Sequence, residues 1–148
     1  MSAAVTDVAF HFGAPDKVAY TVRLLRKAVG TGARVMVVAE IDTLERLDAA
    51  LWTSVPSDFL THCWVNATGP VAALSAVVLS NGGPDEAAPL VDVLVNLGDA
   101  MPTAFERFPR VIEVVSLDDG DRQQARQRWK TYATQGYAID RRDLNLRN

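Results

Sequence analysis

The sequence predicts a single α/β domain of three layers, with helices on both faces of a mostly parallel central sheet of about five strands. Its 148 residues match one domain at the usual ~100–200 residues. Hydrophobic residues make up 49% of the chain and charged residues 22%, which is a globular balance. The first third alternates strand-type and helix-type segments, an order typical of parallel sheets. We therefore expect residues 1–148 to form one domain.

The first predicted strand covers Val5–Phe12, where two phenylalanines alternate around a histidine as in a half-buried strand. A Gly-Ala-Pro-Asp sequence interrupts this pattern and places Asp16 where it can cap a helix. That helix is predicted over about Lys17–Val29, and Gly30–Gly32 ends it.

The second predicted strand, Arg34–Ala39, is almost continuously apolar, which is typical of a strand buried on both faces. Asp42 or Thr43 is predicted to cap a second helix that continues through Trp52. Leucines spaced at helical intervals would form the inner stripe of this helix.

Three further apolar runs predict the remaining strands: about Ala76–Leu79, Val91–Leu97 and Val111–Val115. Asn81–Pro84 predicts a turn or hairpin connection between the first two. A short helix is predicted over about Pro102–Phe108. The last helix is predicted over about Asp121–Gln135, stopping at Gly136.

The cysteine content suits a protein of the reducing cytoplasm. Cys63 is the one cysteine, so an internal disulfide framework is excluded. No apolar run approaches the ~20 residues of a membrane span. The first residues lack the basic and apolar regions of a signal peptide.

Catalytic and metal-binding patterns are weak. His62 and Cys63 are adjacent, and neighbouring side chains of an extended segment point apart, which argues against a Cys–His nucleophile pair. No spacing predicts the three or four convergent ligands of a metal site. Asp118–Asp121 resembles a fragment of a calcium loop, but it lacks the terminal Glu and is interpreted as a solvated loop before a helix. We expect no catalytic residue, no metal and no cofactor.

The order of elements is nucleotide-binding-like, but the sequence lacks a phosphate loop. Such a loop needs glycines for close backbone approach and a Lys-Ser/Thr pair. Gly13–Asp16, after the first strand, does not provide them. Gly30–Gly32 follows the first helix, at the helix end that does not attract anions.

Charge is distributed unevenly along the chain. The net charge of −3 argues against general coating of nucleic acid. Residues 121–148 hold seven basic and three acidic side chains, whereas residues 1–120 hold eight basic and fifteen acidic. This asymmetry indicates an anionic partner at the C-terminal end.

One stripe of the last predicted helix combines cations with an aromatic ring: Arg122, Arg126, Trp129, Lys130 and Ala133. Arginine offers a planar fork to a carboxylate, and an indole can form the wall of a pocket for an aromatic ring. The combination suits an acidic peptide that ends in an aromatic residue. The alternative is a solvated basic face with Trp129 packed inward, and spacing alone does not decide between them.

A second group of large apolar residues lies at the end of the second predicted helix and just after it: Leu51, Trp52, Phe59 and Leu60. Exposed together, these side chains would form a patch typical of a protein interface. The alternative is that the aromatic rings close the core. The sequence leaves open whether Trp52 and Phe59 are exposed.

Two blocks of sequence are distinctive: Arg46–Trp52 (RLDAALW) followed by Asp58–His62 (DFLTH), and Gln124–Tyr132 (QARQRWKTY) followed by Gly136-Tyr137. In these blocks the chain resembles the chi subunit of the bacterial DNA polymerase III holoenzyme. The resemblance covers nearly the whole chain in length and order of elements. Between about Val71 and Glu113 only the apolar pattern matches.

The resemblance implies an α/β domain without a phosphate loop, in an accessory subunit with no catalysis of its own. It implies binding to the small psi subunit, which tethers chi to the clamp loader. It also implies binding to the acidic, Phe-terminated tail of single-stranded DNA-binding protein (SSB). In some bacteria a helicase uses the psi-side surface instead.

Carried over position by position, Arg122, Arg126, Trp129 and Lys130 match the family's tail-binding positions, and Val115 matches an apolar pocket position. Arg122 replaces a Lys and Trp129 replaces a Tyr, so the charge and the aromatic wall persist while a hydroxyl is lost. The resemblance implies that Arg126 pairs with the terminal carboxylate of the tail. Trp129 and Val115 would hold its last aromatic side chain, and Arg122 and Lys130 would attract its aspartates.

On the other side, Trp52 and Phe59 match aromatic positions of the psi or helicase surface, and Leu51 is grouped with them. Arg141, Arg142 and Arg147 have no counterpart in the family pattern that we identify.

Two other functions are weighed against this one. A small nucleotide-using enzyme or a degenerate helicase-like nucleotide-binding domain would need the missing phosphate loop. A direct single-stranded DNA-binding module could use the basic last helix, but the chain lacks interleaved stacking aromatics.

Overall fold

Strand and helix segments alternate between residues 7 and 53. The computed structural model describes residues 6–53, 62–64, 77–80, 92–99, 101–102 and 105–144. Its elements, in chain order, are β1 (Asp7–Ala14), α1 (Lys17–Gly30), β2 (Val35–Val38), α2 (Ile41–Thr53), β3 (His62–Trp64), β4 (Val77–Ser80), β5 (Val93–Asn96), a 3₁₀ turn (Phe105–Arg107), β6 (Arg110–Ser116), α3 (Asp119–Thr134) and β7 (Ile139–Asp143).

The described strands form one sheet in the order β3-β4-β2-β5-β6-β1-β7. Every pair of neighbouring strands is parallel, which confirms the predicted parallel sheet. The sheet has seven strands instead of about five, because β3 and β7 were not predicted. β3 has only three residues, and β7 is a charged, mostly exposed edge strand that carries no apolar pattern.

The proposed hairpin between the third and fourth predicted strands is wrong. β4 and β5 do not pair with each other, because each pairs in parallel with β2, which lies between them. Asn81–Pro84, which was predicted to form the turn, lies outside the described residues. A parallel arrangement requires a crossover connection in place of a two-residue hairpin.

The sheet separates two apolar cores. α1 and α2 cover one face, where Leu25, Leu44 and Leu47 are fully buried. α3 and the 3₁₀ turn cover the other, where Phe10 and Tyr132 are fully buried. This arrangement confirms the three-layer prediction. No helix in the described part of the chain is long and apolar enough to cross a membrane.

The predicted start of the first helix is confirmed. Asp16 is the N-cap of α1, and its side chain accepts a hydrogen bond of 3.1 Å from the backbone N–H of Ala19. α2 instead begins at Ile41, before both Asp42 and Thr43, so the predicted cap is wrong. The helical hydrogen bonds of α2 start one residue earlier, because the Leu44 N–H donates to the Glu40 carbonyl at 2.9 Å.

The two later helices also differ from their predicted bounds. A single 3₁₀ turn over Phe105–Arg107 replaces the short helix that was expected. α3 begins at Asp119, because Asp118 caps it by accepting a hydrogen bond from the Asp121 N–H at 3.0 Å. The residues that resembled a calcium loop are therefore a helix start. Among the described residues, no group of three or more His, Cys, Asp or Glu could hold a metal ion.

Candidate functional site

A buried polar network holds α3 against the sheet. Glu113 of β6 is fully buried, and its Oε1 accepts hydrogen bonds from Arg128 Nε at 2.9 Å and Asn96 Nδ2 at 3.0 Å. Its Oε2 accepts one from the Tyr132 hydroxyl at 2.8 Å. Burial raises the pKa of the Glu113 carboxyl, while the Arg128 charge and the three donors oppose this shift. The sequence did not reveal this network, because Glu113 lies within an apolar run.

Anchoring one side of α3 turns its basic side outward. Ala125, Arg128 and Tyr132 are buried, whereas Arg122, Arg126 and Lys130 are exposed, with Trp129 half-buried between them. The structure brings Arg122, Arg126, Trp129 and Lys130 together in the lining of one cavity of about 310 Å³. We call this the basic cavity. Ala133, the fifth member of the predicted stripe, is exposed and does not line it.

Trp129 combines the two roles that the sequence left open. Its ring packs inward against Phe10, with centroids 5.0 Å apart, and against Phe12 at 6.2 Å. It also lines the basic cavity. The indole is therefore a wall supported by two further rings, which suits contact with an aromatic side chain.

Five residues that were not predicted complete the basic cavity: Phe12, Gly13, Leu117, Arg141 and Asp143. Gly13 has a φ of +86°, which favours glycine, and it lies where the pairing of β1 with β6 shifts register between His11 and Ala14. This bulge ends the regular pairing at the point where Phe12 meets the cavity. The two residues of β7 could be found only once that strand was placed beside β1.

Val115 does not reach the basic cavity. It is fully buried in the core beneath α3, because it lies inside β6 and α3 covers that face of the strand. Leu117, two residues later and beyond the strand end, is 47% exposed and lines the cavity. Among the described residues, Leu117 and not Val115 therefore provides apolar surface at this end of the basic cavity.

The basic cavity carries four cations and one carboxylate. The nearest acidic group to Arg122 is Asp119, at 3.9 Å between Nη1 and Oδ1, on an exposed part of the helix. Arg126 and Lys130 form no ion pair within the part of the chain that the structure describes. An apolar wall beside these cations is suited to an anionic ligand with an aromatic end.

The fold gives Leu51 and Trp52, two residues of the predicted second surface, different environments. Trp52 is 62% exposed near the end of α2. Leu51 is 2% exposed and packs into the core beneath α2, so it is not accessible to a partner. One residue of a helix turns the side chain by about 100°, which explains how neighbours have opposite environments. Phe59 and Leu60 lie outside the described residues, as do the side chains of His62 and Cys63 in β3.

A larger cavity, of about 660 Å³, lies at the carboxyl ends of β1, β5 and β6, where open α/β sheets usually bind ligands. It is lined by two cations, Lys17 and Arg46, and by five carboxylates: Asp16, Glu40, Asp99, Asp118 and Asp121. This acidity is unsuited to a phosphate group.

Lys17, one of the two cations of this cavity, is already engaged by other groups. Lys17 Nζ donates to the Leu97 carbonyl at 2.6 Å and contacts Asp121 Oδ2 at 3.1 Å. Burial would raise the pKa of Asp121, but the Ser116 N–H and the Lys17 charge outweigh it and lower this pKa below its usual value. The carboxylate therefore stays ionised and keeps Lys17 engaged.

Comparison with known proteins identifies a relationship over most of the chain. The sequence profile of a family described as "DNA polymerase III chi subunit, HolC" matches residues 5–140. The chain is 28% identical over 101 residues to DNA polymerase III subunit chi of Haemophilus influenzae, covering 68% of this chain and 67% of that protein. It is 27% identical over 111 residues to the Escherichia coli protein of the same name, covering 74% of each.

The fold is also similar to a solved structure outside that family. The C-terminal domain of the DEAD-box protein Dbp5 superimposes with a TM-score of 0.61 at 14% identity, covering 96% of this chain and 92% of that one. This likeness concerns the fold alone.

Proposed function

The chain belongs to the family of DNA polymerase III chi subunits, and on this basis we propose that it connects the clamp loader to SSB-coated DNA. Membership makes it a subunit of a DNA polymerase III holoenzyme and a protein of DNA replication. Our proposal adds that it is non-catalytic, works in the cytoplasm, and binds the acidic C-terminal tail of SSB. The observation that carries this proposal is the basic cavity beside α3.

The chemistry of the basic cavity suits each part of such a tail. Arg126, exposed and without an ion pair among the described residues, can bind the terminal carboxylate through a charge-assisted contact. Trp129, Phe12 and Leu117 provide apolar surface for the last aromatic side chain. Arg122 and Lys130 provide positive charge for the acidic residues that precede it.

The second partner in the proposal binds on the opposite side of the sheet. Trp52 belongs to α2, which covers one face, whereas the basic cavity is formed by α3 on the other. We propose that psi, or a helicase in its place, contacts the exposed Trp52 ring, with Phe59 of the following segment. Because the two surfaces lie on different layers, both partners can be bound at once, as a connecting subunit requires.

The proposal predicts that Arg126→Ala weakens binding of an SSB-like tail by more than ~2 kcal/mol, about 30-fold, as is common for a central anchoring arginine. The measurement is fluorescence anisotropy with a labelled peptide in which aspartates precede a C-terminal phenylalanine. Loss of the Arg126 side chain removes the partner of the terminal carboxylate. Arg23→Ala, an equal loss of charge at an exposed position of α1 on the other face, is the matched control and should bind normally.

The same titration tests the position of the tail. Arg122→Ala should weaken binding less than Arg126→Ala, and its effect should shrink with added salt, because exposed charges mainly steer association. A peptide without the terminal phenylalanine should bind poorly to the unmodified protein. Normal binding of the complete peptide to the Arg126→Ala variant would contradict the assignment.

A further inference from the structure

β7 brings a cation and a carboxylate to the basic cavity from outside α3. This strand pairs in parallel with β1, with Phe10 opposite Arg141 and Phe12 opposite Asp143. Side chains alternate along a strand, so Arg141 and Asp143 share the face on which Phe10 and Phe12 meet Trp129. Both line the cavity.

These two side chains are held together across the edge of the cavity. Arg141 Nε donates to Asp143 Oδ2 at 3.0 Å and to Oδ1 at 3.2 Å. The guanidinium also lies over the Phe12 ring, 4.7 Å from its centroid. Arg141 is 58% exposed and Asp143 is 26% exposed, so the pair is in contact with solvent and can be exchanged at modest cost.

Asp143 is the one acidic side chain among the described residues that line the basic cavity. Its carboxylate accepts hydrogen bonds from Arg141 in the way that a carboxylate of a bound ligand would. The stacked position of the guanidinium on Phe12 keeps its remaining N–H groups near the apolar wall formed by Phe12 and Trp129.

We propose that Arg141 is a specificity determinant for acidic side chains that precede the terminal aromatic residue of the ligand, and that Asp143 is an internal competitor for it. This inference rests on the proposed function of the basic cavity and adds a contact from β7. An acidic segment displaces Asp143 and engages Arg141, whereas a ligand that offers only a terminal carboxylate leaves the Arg141–Asp143 pair closed. Asp143 thus lowers the affinity for acidic tails, each of which must displace it from Arg141, and leaves tails without acidic side chains unaffected.

The test uses the full chain and two labelled peptides, one with aspartates before the C-terminal phenylalanine and one with asparagines in their place. Arg141→Gln should weaken binding of the acidic peptide about three- to fivefold at low salt, as expected for an exposed charge pair. It should leave the asparagine peptide unchanged. Asp143→Asn should strengthen binding of the acidic peptide about two- to fivefold.

Arg142→Gln is the matched control, because it removes the same charge from the neighbouring position of β7. Arg142 contacts Tyr20 on the opposite face of the sheet, away from the basic cavity. Its peptide binding should equal that of the unmodified protein, and thermal unfolding of all variants checks that the fold persists. Equal losses for Arg141→Gln and Arg142→Gln would mean that only net charge matters, which would overturn the inference.

The double variant separates competition from simple repulsion. If Asp143 acts through Arg141, the gain from Asp143→Asn should be smaller in the Arg141→Gln background. An identical gain in both backgrounds would show direct repulsion of the ligand and would reject the competitor role. Failure of the inference is distinct from failure of the proposed function. If only the inference fails, the unmodified protein still binds the acidic peptide. If the unmodified protein does not bind that peptide, both the proposed function and the inference are overturned.

Discussion

His11 is a buried histidine whose environment disfavours its charged form. It lies on β1 and faces α1, where its Nδ1 and the Tyr20 hydroxyl share a hydrogen bond of 2.6 Å. Burial, followed by the positive charges of Arg142 and Arg110, lowers its pKa from 6.5 to about 4, although Asp140 acts in the opposite direction. The imidazole is therefore neutral in the folded protein at neutral pH.

His11 should make the protein less stable as the pH falls. Between pH 6.5 and about 4 the unfolded chain binds a proton at this residue while the folded chain does not, so protonation favours unfolding. The full shift corresponds to roughly 3 kcal/mol. Urea unfolding at several pH values should show that His11→Gln flattens the fall in stability across this window. Tyr20→Phe should keep the fall, because burial of His11 persists; an unchanged slope in His11→Gln would contradict this explanation.

At the scale of elements, the contact between α3 and β6 depends on charge as well as on apolar packing. Arg128 is 2% exposed and pairs with Glu113, and its Nη1 also donates to the Asp99 carbonyl at 2.7 Å. Burying two charges is costly, so this pair adds little net stability, but breaking it leaves a charge without a partner. The pair joins the inner side of α3 to β6, while Arg126 on the outer side lines the basic cavity.

Glu113→Gln should destabilise the fold by about 3 kcal/mol or more, because it leaves the buried guanidinium uncompensated. Adding Arg128→Met should recover most of that loss, since the buried charge is then removed. Chemical unfolding measures both variants. Glu106→Gln is the control, because Glu106 is exposed and should change stability by less than about 0.5 kcal/mol. A double variant as unstable as Glu113→Gln alone would show that packing, and not charge, is responsible.

The molecule as a whole presents three surfaces with different chemistry. The basic cavity lies beside α3, the exposed Trp52 lies on α2, and the large cavity at the carboxyl ends of the strands is acidic. The fold resembles a domain of a DEAD-box protein, yet the residues at the usual ligand position carry the opposite charge to that which a phosphate needs. The proposed functions therefore use the outer layers of the sandwich.

This charge distribution predicts that Mg-ATP does not stabilise the protein. The five carboxylates of the large cavity repel a polyphosphate, and Lys17 is already engaged by Asp121. Thermal unfolding with millimolar Mg-ATP should leave Tm unchanged, whereas the acidic phenylalanine-terminated peptide should raise it through binding to the native state. A saturable rise in Tm with Mg-ATP would support the nucleotide-binding alternative instead.

Local sequence patterns were enough to predict the parallel α/β class, the N-cap at Asp16, the last helix and the cations on its outer side. These features follow from local patterns, because burial period and capping depend on residues close in the chain. That residues 1–148 form one domain, and that Trp52 and Phe59 bind a partner, stay predictions.

The residues that complete the basic cavity are brought there by long-range packing, which local patterns do not predict. Arg141 and Asp143 reach it because β7 pairs with β1, and Val115 is buried away from it because α3 covers β6. These contacts join residues distant in the chain. A charged edge strand such as β7 has no apolar pattern from which its pairing could be predicted. The position of a strand in the sheet, and hence the neighbours of its side chains, is set by packing of the whole molecule.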